Sequence, residues 1–162
     1  MLPGWLEVDI GFTREAEFGP RGPNWRTVFR ETAEVPPAGA QSSDELAGLA
    51  WHHVLHARVC IERGKRWQAE WLIHGVREHV LALACLRLGH PTRFAKDADL
   101  LPEEQTAPVE ESLVRSLEEV ELRRVLASVA TLLANELART DHALAERLGP
   151  MLLDLTSLGR KP

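Results

Sequence analysis

Only two cysteines, Cys60 and Cys85, occur in 162 residues. That is too few for the disulfide framework of a small secreted scaffold. Both lie in apolar, helix-like surroundings, so they are expected as reduced, buried thiols. No apolar run approaches the roughly 18 residues that mark a membrane span. Met1-Leu2-Pro3-Gly4-Trp5 has neither a basic region nor a leader-type apolar stretch, and a cytoplasmic protein is expected. Positive charge is not in excess: 19 Lys and Arg stand against 24 Asp and Glu, a formal net charge of -5. Such a balance offers no electrostatic footprint for nucleic acid or an anionic membrane, and neither is expected as a partner. P-loop, Gly-x-Ser-x-Gly and Cys-x-x-Cys signatures are missing. So are internal repeats and low-complexity tracts.

What remains is an ordinary globular composition, 44% hydrophobic and 27% charged, long enough to bury a core without staples. Leu6, Val8 and Ile10 alternate with Glu7, Asp9 and Gly11, the period-two pattern of a half-buried strand, which Phe12 extends. Phe18 to Pro23 reads as an irregular loop, and Trp25 to Arg30 as a short strand or a single turn. Val35-Pro36-Pro37-Ala38-Gly39 has linker composition. Ser42-x-x-Glu45 then forms a capping-box pattern ahead of an apolar stripe, Leu46, Ala50, Val54, Ala57 and Ile61, on a helix ending near Gly64. A second helix over about 66–88, stopped by Gly89, is apolar on most faces and is expected at the bundle centre. A short helix is expected over about 108–117 and a longer one over about 120–139. The last is expected over about 141–155, capped by Asp141 and kinked or ended early by Pro150. The expected fold is therefore mainly α: a four- to five-helix bundle with a short N-terminal β stub. Residues 1–35 form the stub, 36–42 the linker and 43–162 the bundle. One or two strands cannot stand alone, so the stub calls for neighbours from another subunit or a longer protein.

Several runs together resemble a known group: Trp5-Leu6-Glu7-Val8-Asp9-Ile10, the loop Glu17 to Pro23, and His56-Ala57-Arg58-x-x-x-Glu62-Arg63-Gly64-Lys65-x-Trp67-Gln68-Ala69-Glu70. Gly75-Val76-Arg77-Glu78-His79-x-Leu81-Ala82-Leu83-Ala84 and Asp99-Leu100-Leu101-Pro102 fit the same group. The resemblance is to bacterial nucleotidyltransferase-domain proteins, small polymerase-beta-type relatives of the antibiotic-modifying nucleotidyltransferases. It implies an α/β domain carrying Gly-Ser, an Asp-x-Asp pair and a third acid, with magnesium and a nucleoside triphosphate as cofactors. A helical domain beside it forms the acceptor site. The chain departs from that pattern: it has no Gly-Ser pair, and no Asp-x-Asp stands on a strand ahead of residue 9. The resemblance thus implies the end of a catalytic domain followed by the whole helical domain. Such a protein would carry the acceptor side of an enzyme that moves a nucleoside monophosphate to a small-molecule hydroxyl, and would show no transfer by itself.

Asp9 matches the third carboxylate, as catalytic group and metal ligand, and Glu7 shares its strand face. One carboxylate cannot build magnesium's octahedral cage. By the resemblance, Glu7, His56, Arg58 and Arg77 are the candidate substrate-binding residues. Asp97-x-Asp99 has the letters of the metal motif but no strand beneath it, and is read as a solvated loop or helix cap. His52 and His56, one helical turn apart, lack a third ligand at metal spacing. Trp67 and Trp71 are read as packing residues. Residues 43–96 are locally basic and 97–121 acidic, so the two segments are expected to meet inside the fold. The alternative function is a non-catalytic helical interaction module or homodimer, like the partners of minimal nucleotidyltransferases. The Arg-x4–6-His motif of the ribonucleases among them is not matched, since Arg66 and His74 are too far apart and Arg87 and His90 too close.

Overall fold

A computed structural model of the chain describes residues 10–20, 25–29, 31–34 and 41–157. The chain divides into two compact units, Met1–Ala40 and Gln41–Pro162, with the boundary inside the expected linker.

In the first unit a 3₁₀ turn covers Glu15–Glu17. The Ala33 N–H donates to the Phe18 carbonyl at 2.8 Å, and the Phe18 and Trp25 rings meet edge-on at 5.5 Å. Among the described residues there is no strand. Ile10 and Phe12 are exposed and irregular, as is Trp25 to Phe29; the rest of the expected strand, with Glu7 and Asp9, lies outside the described residues. The described part of this unit is tied by a turn and a ring contact, not by a ladder of paired backbone groups.

The second unit is a helical bundle. Helix α1 is Ser43–Glu62, α2 Arg66–Leu88, α3 Glu103–Glu111, α4 Glu119–Thr140 and α5 His142–Ser157. The capping box forms as expected: Glu45 N–H donates to Ser42 Oγ and Ser42 N–H to the Glu45 carboxylate, both at 3.1 Å. Gly64 and Gly89 take left-handed conformations, φ 67° and 78°, where a Cβ would be strained, and so close α1 and α2. The Asp141 carboxylate accepts from Leu144 N–H at 3.0 Å and caps α5.

Two proline expectations are corrected. Helix α3 starts at Glu103, not near Pro108. Glu103 and Glu104 fill its first turn, where the helix dipole favours negative charge. Pro108, the sixth of nine residues, removes one hydrogen bond without ending the helix. Helix α5 likewise continues through Pro150 to Ser157, with Leu148 and Leu155 on either side still packed on the core.

The core follows the predicted stripes. Leu46, Ala50, Val54, Ala57 and Ile61 of α1 are all buried, as are Leu122, Val125, Leu126, Val129 and Leu133 of α4; Leu132 is half-buried. Helix α2 packs on both α1 and α4 and sits at the bundle centre. Its Ile73, Val76 and Leu83 are fully enclosed. Burying each such side chain stabilises the fold by about 1.5–3 kcal/mol. Cys60 and Cys85 are free and buried, and burial pushes the Cys85 thiol's pKa up, with Asp97 adding to it.

One buried ion pair fixes α2, α3 and α4 together. Glu136, 3% exposed, accepts from Arg87 Nε at 2.7 Å, while Arg87 Nη2 donates to Gln105 of α3 at 2.8 Å. The basic and acidic segments meet in part, through Arg66 and Glu118 at 3.4 Å. Arg87 reaches Gln105 of the acidic segment as well, but its ion pair is with Glu136 of α4. No helix of the described residues is long and apolar enough to cross a membrane.

Candidate functional site

The spacing i, i+3, i+4, i+7 builds two facing walls. On α2 it selects His74, Arg77, Glu78 and Leu81; on α3 and the turn after it, Thr106, Val109, Glu110 and Leu113. The segment between these helices, with 3₁₀ turns at Arg93–Ala95 and Ala98–Leu100, supplies the third side through Phe94, Ala95, Ala98 and Asp99. Together they enclose a cleft of about 570 Å³.

Its floor is fixed by Arg77, which is 6% exposed. The guanidinium donates to the Ser112 carbonyl at 3.0 Å and lies 3.9 Å from Glu70. The Ser112 hydroxyl in turn donates to the Val109 carbonyl at 2.6 Å. Burial lowers the pKa of Arg77 from its ordinary value, and the Glu70 carboxylate opposes that shift. Arg77 thus spends its charge on holding the end of α3 to α2. The acids on the cleft lining are Glu78, Asp99 and Glu110, all exposed. Leu81, Phe94, Ala98, Val109 and Leu113 make most of the remaining surface apolar.

Phe94 and Ala95 both have positive φ, 62° and 50°. Left-handed conformations in residues with a Cβ cost on the order of 1–3 kcal/mol each. The turn they create sets the Phe94 ring between the cleft and a smaller cavity of about 240 Å³ that includes His79, Thr92 and Arg93. Thr92 ties this turn to the start of the bundle by donating to the Gln41 side chain at 3.0 Å.

A histidine cluster occupies the α1–α2 seam. The His53 ring sits over Gly75, where a Cβ would come within 3.1 Å of it. It meets the His79 ring at 5.2 Å and the edge of Trp71 at 5.9 Å. His53 Nδ1 and His79 Nε2 are buried without a hydrogen-bond partner. Burial lowers the pKa of both; for His53 the neighbouring His79 and His52 lower it further, against Glu78. A further cavity of about 390 Å³ lies between α1 and α5, around Trp51, Asp44 and Arg147. Its acids, Asp44 and Asp141, stand at the starts of α1 and α5, and Arg147 comes from within α5.

The expected site residues separate. Glu7 and Asp9 lie outside the described residues. His56 is exposed on α1, its ring 4.1 Å from His52. Arg58 donates to Glu62 at 2.9 Å and to the Leu155 carbonyl at 3.4 Å, a tie between α1 and α5. Of the described candidates, Arg77 lines the cleft and His56 and Arg58 do not. Asp99, read as a solvated loop acid, is exposed but stands on the cleft lining. Trp67 and Trp71 are 77% and 65% exposed rather than packed in the core, although the edge of Trp71 meets the His53 ring of α1 at 5.9 Å. His74, Glu78, Phe94 and Glu110 were not among the candidate site residues; the shared spacing of the two walls was the one signal for His74, Glu78 and Glu110, and Phe94 had none. Among the described residues no three His, Cys, Asp or Glu side chains are grouped to hold a metal ion. Comparison with known proteins gives no match, whether to a family model, a curated protein or a solved structure.

Proposed function

We propose that the protein is a cytoplasmic, nucleotidyltransferase-like helical module that holds an acceptor molecule in the cleft between α2 and α3. The observation that supports this is the cleft's own chemistry. Its apolar walls accept a hydrophobic body, and Glu78, Asp99 and Glu110 present hydrogen-bond acceptors around it. Carboxylates accept and do not donate, so the matching ligand carries hydroxyl or amine donors on an apolar frame. Arg77, engaged by Ser112 and Glu70, acts as a positioning residue for the α3 wall and not as an anion receptor.

In this reading the bundle supplies binding and orientation. Transfer of a nucleoside monophosphate to the bound hydroxyl needs converging carboxylates and magnesium. Asp9 is the one acid of this chain assigned to that set, by resemblance alone. The Gly-Ser and Asp-x-Asp elements come from a separate nucleotidyltransferase domain, and the chain alone performs no transfer.

Thermal-shift titration tests the reading. A panel of amphipathic amino alcohols should contain members that raise the unfolding midpoint, since saturation at 100 times Kd stabilises by about 2.7 kcal/mol. Leu113→Arg, which sets a long cation on the cleft wall from a 51%-exposed position, should abolish that rise, with circular dichroism checking the fold. Stabilisation by magnesium and ATP that survives Leu113→Arg, with no response to the amino alcohols, would refute an acceptor site here.

A further inference from the structure

The outward side of α2 carries a continuous stripe. Trp67, Trp71, His74 and Glu78 follow at i, i+4, i+7 and i+11, so they share one helix face, and all four are exposed. The two tryptophans alone present on the order of 300 Å² of mostly apolar surface. A patch of that size on one helix face marks an interaction site more often than bare surface.

The charge along this face is polarised. Lys65, the N-cap, and Arg66, the first residue of α2, stand at its start, both exposed. Glu70 and Glu78 follow, with Asp99 and Glu110 beside Glu78 on the cleft. A partner of one charge sign satisfies only half of such a face. A second copy turned antiparallel satisfies all of it, since the basic end of each helix then lies on the acidic end of the other. Two-fold contacts require this self-complementarity. Among the described residues Arg66 is joined to the exposed Glu118 at 3.4 Å, a pairing of little energetic weight, so it is able to re-pair.

We infer that two copies of the protein associate through this face, with α2 packed antiparallel on its mate and the two-fold axis near Trp71. The pairing stands independently of what the cleft binds, but it has a consequence for it. With the axis at Trp71, Trp67 of the second copy falls opposite position 75, within one turn of His74 and Glu78. Each copy thus lends a tryptophan to the mouth of the other's cleft. The stripe from Arg66 to Glu78 is roughly 18 Å long. It buries less than the ~800 Å² per partner of a standard interface, so association is weak and concentration-dependent.

Sedimentation equilibrium of the full chain from about 1 to about 200 µM, a range that brackets micromolar affinity, tests this. The expected result is a reversible monomer–dimer equilibrium. Trp71→Glu, which sets two carboxylates at the axis, should weaken it at least tenfold. Arg66→Glu and Glu78→Arg should each weaken it, and the two together should restore it, because the exchanged charges still meet. All these positions are exposed, and circular dichroism checks that each variant folds. A chain that stays monomeric throughout, a dimer indifferent to Trp71→Glu, or a double exchange no better than the single ones overturns the inference.

Discussion

Replacing Arg87 by Met removes one partner from a carboxylate with almost no access to water. Glu136 is 3% exposed and accepts from both Nε and Nη2 of Arg87, at 2.7 and 3.3 Å. Removing one member of a buried pair costs about 3–5 kcal/mol, mostly the penalty of leaving the other charge uncompensated. Arg139 still reaches Glu136 at 3.4 Å and the Arg87 side chain is itself 21% exposed, which points to the lower end, about 3 kcal/mol. For a chain of this length that lowers the melting temperature by about 6–12 °C. Urea unfolding followed by tryptophan fluorescence measures the loss. The companion variant Arg87→Met with Glu136→Met replaces the pair by apolar side chains of similar length, and should recover to within about 1 kcal/mol of the parent. Both variants lose the Arg87–Gln105 bond that holds α3, so ligand affinity in the cleft should fall in both while stability recovers in one. A single substitution costing under about 1 kcal/mol, or a double variant as unstable as the single, would refute the reasoning.

Two further outcomes follow from the α1–α2 seam. His53 and His79 are held below the ordinary 6.5 chiefly by burial, so they stay neutral in the fold at a pH where the unfolded chain already takes up protons. Stability is therefore present above pH 6.5 and declines as pH falls from there toward the folded-state values. Urea midpoints between pH 7.5 and 5 should show this decline, and His53→Gln with His79→Gln should flatten it; an unchanged slope would exclude these two as its source. Gly48 and Gly75 both lie inside helices, but a Cβ at Gly48 meets nothing within 4 Å while one at Gly75 meets the His53 ring at 3.1 Å. Gly48→Ala should stabilise by about 0.5–1 kcal/mol through helix propensity, and Gly75→Ala should gain less because His53 must move; equal gains would show that His53 yields freely.

The helices were legible where their signals are local. The Ser42–Glu45 box, the glycines at 64 and 89 and the Asp141 cap act within one turn of the residues that carry them, and the apolar stripes of α1 and α4 repeat at the helical period. Pro108 and Pro150 misled because a single proline removes one hydrogen bond, and packing on either side offsets it. The cleft was largely illegible. Its third side depends on left-handed Phe94 and Ala95, which no glycine or asparagine announces. Its acids come from three segments that only the tertiary fold brings together. The exposure of Trp67 and Trp71 was hidden for the opposite reason: an apolar residue on a central helix reads as core until the positions of all its neighbours are known.

The central claim is that the α2–α3 cleft is the binding site of this bundle, and backbone amide chemical-shift mapping tests it most directly. On titration with the amino alcohol that most stabilises the chain, the account predicts the largest shifts at His74, Glu78, Phe94, Asp99, Glu110 and Leu113. Shifts centred instead on the α1–α5 cavity around Trp51 and Arg147, with the cleft residues unmoved, would contradict it.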